Sequence, residues 1–345
     1  MAVLRVGAKA NSNAVFACPL RAERHMLTRR QIVLGTVASV VLVATLFVGR
    51  RFDRDIKIAA ARAAHGSVVA QTRCGDIEYQ ESGTGVPLLV IHGSGGGHDQ
   101  GMAFAGELAR HGIRVIAISR FGYLRTPMPA DASPEAQADA HACLLDALGI
   151  RRAAVIGASA GSLSAMQLAI RQPVRVSALL LLVPVAYKPA TVDDSVAPLS
   201  PLADKALNWL VGSDFVFWVA LRIARDQVIR SVLATPPAQV AIASAQEQAR
   251  VSSMLDGILP VSVRAQGLRH EAIVTKHLTR YALEEIRAPT LIISARDDGY
   301  GTYANAQYTA SQIAGSHFIG FEQGGHVWVG HNDEVQREIV KWVIS

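Results

Sequence analysis

Residues 153–171 constrain this chain more than any other stretch. Ala153-Ala154-Val155-Ile156 reads as a short buried strand, and Gly157-Ala158-Ser159-Ala160-Gly161 follows at once. Ser162 to Arg171 then shows the helical spacing of Leu163, Met166 and Ile170. A serine at such a strand-to-helix junction sits on a tight, strained turn that pushes its hydroxyl clear of the backbone. The glycines two positions to either side keep Cβ atoms away from the neighbouring strand and helix. The helix begins directly beneath the serine, so its N-terminal amides point where negative charge develops. Ser159 is therefore expected to be a nucleophile.

A nucleophilic serine needs a base, and the base needs an orienting acid. Pro289 to Ser294 reads as a second buried strand and ends in Ala295-Arg296-Asp297-Asp298-Gly299. Ser316 to Phe321 reads as the next and ends in Glu322-Gln323-Gly324-Gly325-His326. Asp298 and His326 thus join Ser159 at the C-terminal ends of strands, where open α/β sheets place their ligand sites. A fourth strand, Leu88 to Ile91, runs into His92-Gly93-Ser94-Gly95-Gly96-Gly97. The backbone N–H groups of Ser94 and Ala160 are the expected oxyanion hole. That loop has neither the Lys-Ser/Thr ending of a phosphate loop nor the dinucleotide fingerprint. His92 is expected to be structural, and His331 to lie at the surface where the last helix opens. His98, Asp99 and Trp218 are the candidates for substrate contact. No ligand spacing for a metal occurs, and neither a metal nor an organic cofactor is expected.

With these four motifs in this order, the chain resembles the α/β-hydrolase-fold serine hydrolases. That broad group holds small esterases, lactonases, cofactor-free haloperoxidases, proline iminopeptidases and C–C bond hydrolases. The resemblance covers residues 68–345. It implies a doubly wound, mostly parallel sheet with a helical cap insert over about residues 186–287. The motifs do not choose a substrate; the expectation is a small or medium carboxylic ester, cleaved through an acyl-enzyme on Ser159, with His326 as base and Asp298 as acid. The family's Gly-x-x-Asp turn puts the acid three positions after Ala295, which selects Asp298. Asp297 is expected to point the other way, toward solvent or the cap. In Ile118-Ser119-Arg120-Phe121-Gly122-Tyr123, Ser119 stands where the family's stretch begins with Asp. The same triad also serves amide, lactone or C–C cleavage and perhydrolysis, whereas epoxide and haloalkane hydrolysis use an Asp at the position of Ser159. A ligand-binding protein on a hydrolase scaffold is the alternative of another class.

The periodicity predicts strands near 77–80, 87–91, 113–118, 153–157, 178–183, 289–294 and 316–321. It predicts helices over 101–111, 134–148, 160–171, 302–313 and 332–344. In the insert, Asp214 to Leu233 carries one amphipathic helical pattern. Trp209, Phe215, Phe217, Trp218, Met254 and Leu259 either line an apolar acyl pocket or form the cap's own core.

The N-terminus carries a separate message. Ile32 to Val48 has no charged residue and is bracketed by Arg29-Arg30 and Arg50-Arg51. As a helix it spans roughly 25 Å, and flanking arginines can snorkel to close the gap to a hydrocarbon core of about 30 Å. Thr28-Arg29-Arg30 resembles a twin-arginine export signal, and Ala61-Arg62-Ala63 a cleavage site. The expectation is a single-pass membrane anchor through residues 32–48 or an exported, processed leader. Basic residues flank both sides of the segment, so the positive-inside rule does not choose an orientation; the twin arginines favour export. Met26 offers a second start. Residues 1–63 hold 11 of the 34 Lys+Arg and 3 of the 28 Asp+Glu, so the remainder has 23 against 25 and a net charge of −2. The basic balance belongs to this leader, and nucleic-acid binding loses its support. The Ala-rich stretch 58–70 reads as a linker, and a chain starting near Ala64 is expected to be soluble and active. Three cysteines, Cys18, Cys74 and Cys143, make no disulfide framework.

Overall fold

The computed structural model describes residues 28–189 and 212–344. Trp209 and Met26 lie outside them. The chain divides into two compact units, Met1–Arg51 and Phe52–Ser345. The described part of the first unit lies on a helix, Arg29–Ala64, whose side chains from Ile32 to Val48 are exposed. That helix is long and apolar enough to cross a membrane.

The second unit is built on an eight-stranded sheet. Its strands are β1 (Val68–Thr72), β2 (Gly75–Ser82), β3 (Val86–Ile91), β4 (Ile113–Ile118), β5 (Ala153–Ala158), β6 (Val176–Leu182), β7 (Thr290–Ala295) and β8 (His317–Phe321). The spatial order is β1-β2-β4-β3-β5-β6-β7-β8; β1 pairs with β2, and β2 with β4, antiparallel, and the other pairings are parallel. The central strands β4, β3, β5 and β6 are apolar at nearly every position because both faces are covered; Arg114 in β4 and Ser177 in β6 are the exceptions. Leu89, Ile91, Val155, Leu179, Leu181 and Ile292 face one core, with helices Pro134–Ala147 and Gly161–Arg171. Their neighbours Leu88, Val90, Ile156, Leu180 and Ile293 face the other, with Phe104 and the last helix, Asn332–Ile344. This period-two partition is what a strand dictates once helices lie on both sides.

β4 and β5 flank β3 on opposite sides, so the connections diverge there. The crevice at such a switch point, beyond the carboxyl ends of the strands, is where this architecture binds ligands. The loop after β3 and the turn after β5 both open onto it.

The insert between β6 and β7 is helical, with Asp214–Ile223, Arg225–Val232, Pro237–Ile242, Ala245–Asp256 and Ala265–Val274 among its described residues. Ser213 and Ser244 start two of these helices by accepting the N–H of Val216 and Glu247, each satisfying an orphan donor of the first turn. Phe217, Trp218, Leu221, Val228, Val251, Leu255 and Leu259 form the insert's own core.

Four expectations change. The amphipathic pattern over 214–233 is split into two helices at Ala224, with neither Gly nor Pro at the break; the local sequence offers no reason. The stretch 58–70 is not a linker. Its alanines, good helix formers, continue the helix to Ala64, and Val68–Thr72 pairs with β2 as an edge strand. The boundary between units falls at residue 51 and not 63, because Phe52, Ile56 and Ala59 pack on the insert's core. Finally, Cys74, in the turn of the β1–β2 hairpin, is joined by a disulfide to Cys143 on helix Pro134–Ala147.

Candidate active site

Ser159 has φ +50°, in the left-handed region that costs an L-residue energy. The conformation is held from both sides: its N–H donates to Leu182 O at 2.8 Å, and its carbonyl accepts from Ser162 N at 3.0 Å and Val185 N at 3.1 Å. The flanking glycines are required by close approach. A Cβ on Gly161 would lie 2.5 Å from the carbonyl oxygens of Ile91 and His92, and one on Gly157 would lie 2.6 Å from the Ala165 side chain.

His326 reaches this turn from the loop after β8. Its Nε2 lies 2.9 Å from Ser159 Oγ, and its Nδ1 lies 2.7 Å from Asp298 Oδ2. A carboxylate at Nδ1 places the ring proton there and leaves Nε2 to accept from the serine hydroxyl. Asp298 is 5% exposed. Its Oδ1 accepts the Tyr300 N–H at 2.9 Å, and its Oδ2 also accepts the Thr302 hydroxyl. Because that hydroxyl has one hydrogen, Ser294, 3.0 Å away, donates to Thr302 in turn. The Tyr300 ring meets the imidazole edge-on with centroids 4.9 Å apart, and its hydroxyl donates to Val232 O of the insert at 3.0 Å.

The loop after β3 is fixed by two buried cations or would-be cations. His92 donates from Nδ1 to Gly93 O at 2.6 Å and accepts the Arg120 N–H at Nε2, 3.0 Å away. Burial, and then the nearby Arg120 charge, push its pKa well below the ordinary imidazole value. His92 is thus a neutral strut and not a base, as expected. Arg264, fully buried, spends its five N–H donors on Ile258 O, Gly96 O, Gly257 O and both oxygens of Asp99. It ties the insert to the glycine loop and engages Asp99. Among the described residues, neither the Ser94 nor the Ala160 N–H is donated to a backbone carbonyl.

Two substrate-contact candidates lie elsewhere. His98 is fully buried, with Nε2 2.9 Å from Ala63 O and Nδ1 3.0 Å from Gln80 Oε1. The helix it opens is covered by residue 63, which the linker reading left out. Trp218 is 4% exposed and donates from Nε1 to Asp55 Oδ2 at 3.1 Å, with the Arg222 guanidinium 3.8 Å above its ring. It belongs to the insert's core. Ser119, standing in for the family's Asp, donates to the buried Glu78 at 2.9 Å. His331 stacks on Phe321 with centroids 3.9 Å apart. The contacts of Thr302 and Tyr300 are not foreseen in the sequence; Thr302 follows Asp298 by four residues, a spacing without a distinct pattern of its own.

The alpha/beta hydrolase fold family matches residues 86–329. A 2-hydroxymuconate semialdehyde hydrolase of Pseudomonas putida is 40% identical over 105 residues, 30% of this chain, and the match spans only 37% of that relative's length. A 2-hydroxy-6-oxononadienedioate/2-hydroxy-6-oxononatrienedioate hydrolase of Paraburkholderia xenovorans (strain LB400) is 28% identical over 256 residues, 70% of this chain and 83% of its own. An alpha/beta hydrolase fold protein from Nakamurella multipartita superposes with a TM-score of 0.60 at 27% identity, over 80% of this chain and 98% of its own.

Proposed function

From the premise that this chain belongs to the α/β-hydrolase fold family and is a hydrolase, we propose that it cleaves a small or medium carboxylic ester through an acyl-enzyme on Ser159. The observation that carries the reading is the relay from Asp298 through His326 to a serine held at positive φ, with contacts of 2.7 and 2.9 Å. Ser159 Oγ attacks the ester carbonyl while His326 Nε2 takes its proton. The carbonyl oxygen becomes an oxyanion held by the N–H groups of Ser94 and Ala160, each such donor contributing on the order of 10²–10³ in rate. The imidazolium returns its proton to the departing alcohol, leaving the acyl group on Ser159. Water then repeats the sequence, with His326 again as base, to release the acid and restore the serine. Asp298 orients the ring and favours the imidazolium at each stage.

A second reading is favoured by the relatives: they are named hydrolases of 2-hydroxymuconate semialdehyde and related dienoates. The same triad would then act at a carbonyl carbon and break the C–C bond beside it. Incubating the protein with a fluorophosphonate probe, then with p-nitrophenyl esters of graded chain length beside a 2-hydroxymuconate semialdehyde, tests both. Labelling at Ser159 with ester turnover supports the first reading. Labelling with turnover of the semialdehyde alone replaces it by the second, and no labelling returns the chain to a ligand-binding role.

We further assign residues 32–48 as a membrane anchor and the insert over residues 186–287 as a cap on the site. Export of the enzyme unit is supported by the Cys74–Cys143 disulfide, since such bonds persist in oxidising compartments.

A further inference from the structure

Asp297, next to the acid, is half-buried and turns toward the insert. Its Oδ1 accepts the Gly325 N–H at 2.8 Å, and its Oδ2 accepts a hydrogen bond from Gln239 Nε2. Gln239 lies on the insert helix Pro237–Ile242, and its Oε1 accepts the Gly324 N–H at 3.0 Å. The two side chains therefore bracket Gly324-Gly325, the dipeptide that carries His326. The same segment of the insert grips both turns of the site: Ala234 O accepts the Gly299 N–H at 2.9 Å. A Cβ on Gly325, at φ +60°, would fall 2.5 Å from Thr235 Oγ1. Because Gly324 presents a backbone N–H, the amide of Gln239 has one admissible orientation, oxygen toward the glycine and nitrogen toward Asp297.

We propose that Asp297 and Gln239 are a positioning pair: they set the reach of His326 toward Ser159, so that the insert controls the base. The proposal rests on the reading of Ser159 and His326 as nucleophile and base. It makes a prediction about polarity that mere packing does not. Asp297→Asn still accepts from Gly325, but its amide nitrogen meets the Gln239 nitrogen, donor against donor. Turning the Gln239 amide only moves the clash to the Gly324 N–H. Gln239→Glu still accepts from Gly324, but sets a carboxylate against Asp297. In the double variant every bond returns with one polarity reversed. The new amide at position 297 donates to the new carboxylate at position 239 and still accepts from Gly325, while that carboxylate accepts from Gly324.

The experiment uses the full chain in detergent and a fluorophosphonate probe, reading kinact and KI together with the Tm. Each single variant is expected to lower kinact about tenfold, the scale of one charge-assisted hydrogen bond, with KI within about twofold. The double variant is expected to recover to within about threefold of the parent. Parent-like kinact in both single variants overturns the proposal, as does a double variant no faster than the slower single one. Ser159→Ala separates the two layers. Labelling that survives it overturns the nucleophile assignment, and the positioning role with it. Labelling abolished by it, but unmoved by the pair, overturns the positioning role alone.

Discussion

Asp298 receives three donors at once, from Tyr300 N, Thr302 Oγ1 and His326 Nδ1. Replacing it by Asn keeps the volume but offers an amide nitrogen to the ring, which forces the other tautomer and turns Nε2–H toward Ser159. Loss of such an acid costs on the order of 10⁴ in turnover, so kcat for Asp298→Asn on a p-nitrophenyl ester is expected to fall by that order. A fall of less than tenfold would mean that Asp298 does not serve as the acid. The convergence of Ser159, Asp298 and His326 was legible in the sequence because each follows an apolar strand in a turn with its own residue pattern. Gln239 was not, because its partners, the Gly324 N–H and the Asp297 carboxylate, lie 85 and 58 residues away and any polar residue on that helix looks alike. His98 and Trp218 misled for the converse reason: a polar or aromatic side chain near a motif says nothing about which segment covers it.

The last turns of helix Arg29–Ala64 behave as part of the enzyme. Phe52, Ile56 and Ala59 pack on the insert, Asp55 accepts from Trp218 and Arg222, and Arg62 donates to Asp256 O at 2.7 Å and Leu259 O at 3.0 Å. Burying one large apolar side chain stabilises by about 1.5–3 kcal/mol. A chain beginning at Phe52 is therefore expected to keep the stability of the second unit, while one beginning at Ala64 loses at least about 3 kcal/mol in urea unfolding. Equal midpoints for the two would show the docking to be idle. The helix expected over 101–111 is an α-helix only over His98–Ala105 and a 3-10 helix beyond it, and the insert's helices after residue 233 have no expectation of their own. The other strands and the helices Pro134–Ala147, Gly161–Arg171, Thr302–Gln312 and Asn332–Ile344 were read within a few residues of where they lie, because their apolar patterns are clear. The edge strand β1 and this docked helix were not, since Val68-Val69-Ala70-Gln71-Thr72 is short and an alanine run does not reveal what it packs against.

At the scale of the molecule, pH acts through rings that the fold keeps neutral. His141 is fully enclosed beside Ser164, with Nε2 3.0 Å from Oγ. Burial, and then the Arg120 charge, lower its pKa to about 3; His92 is shifted in the same direction. An imidazole in the unfolded chain titrates near 6.5. Between those two values the unfolded chain holds a proton that the folded one refuses, so stability is full above about pH 6.5 and declines as pH falls. For one such ring the slope is at most about 1.4 kcal/mol per pH unit. Unfolding by urea from pH 7 to pH 4.5 is expected to show this decline, and His141→Gln to show a shallower one. Parallel curves for the two proteins would place the acid sensitivity elsewhere.

The positive φ of Ser159 sets the interests of the fold against those of the reaction. Glycine adopts that conformation freely, whereas a residue with a Cβ strains by about 1–2 kcal/mol. Of two inactive replacements, Ser159→Gly is accordingly expected to be more stable than Ser159→Ala by about 1 kcal/mol in urea unfolding; an alanine variant as stable as the glycine one would mean the turn is unstrained. A lineage that abandoned the chemistry would thus gain stability by drifting to glycine here.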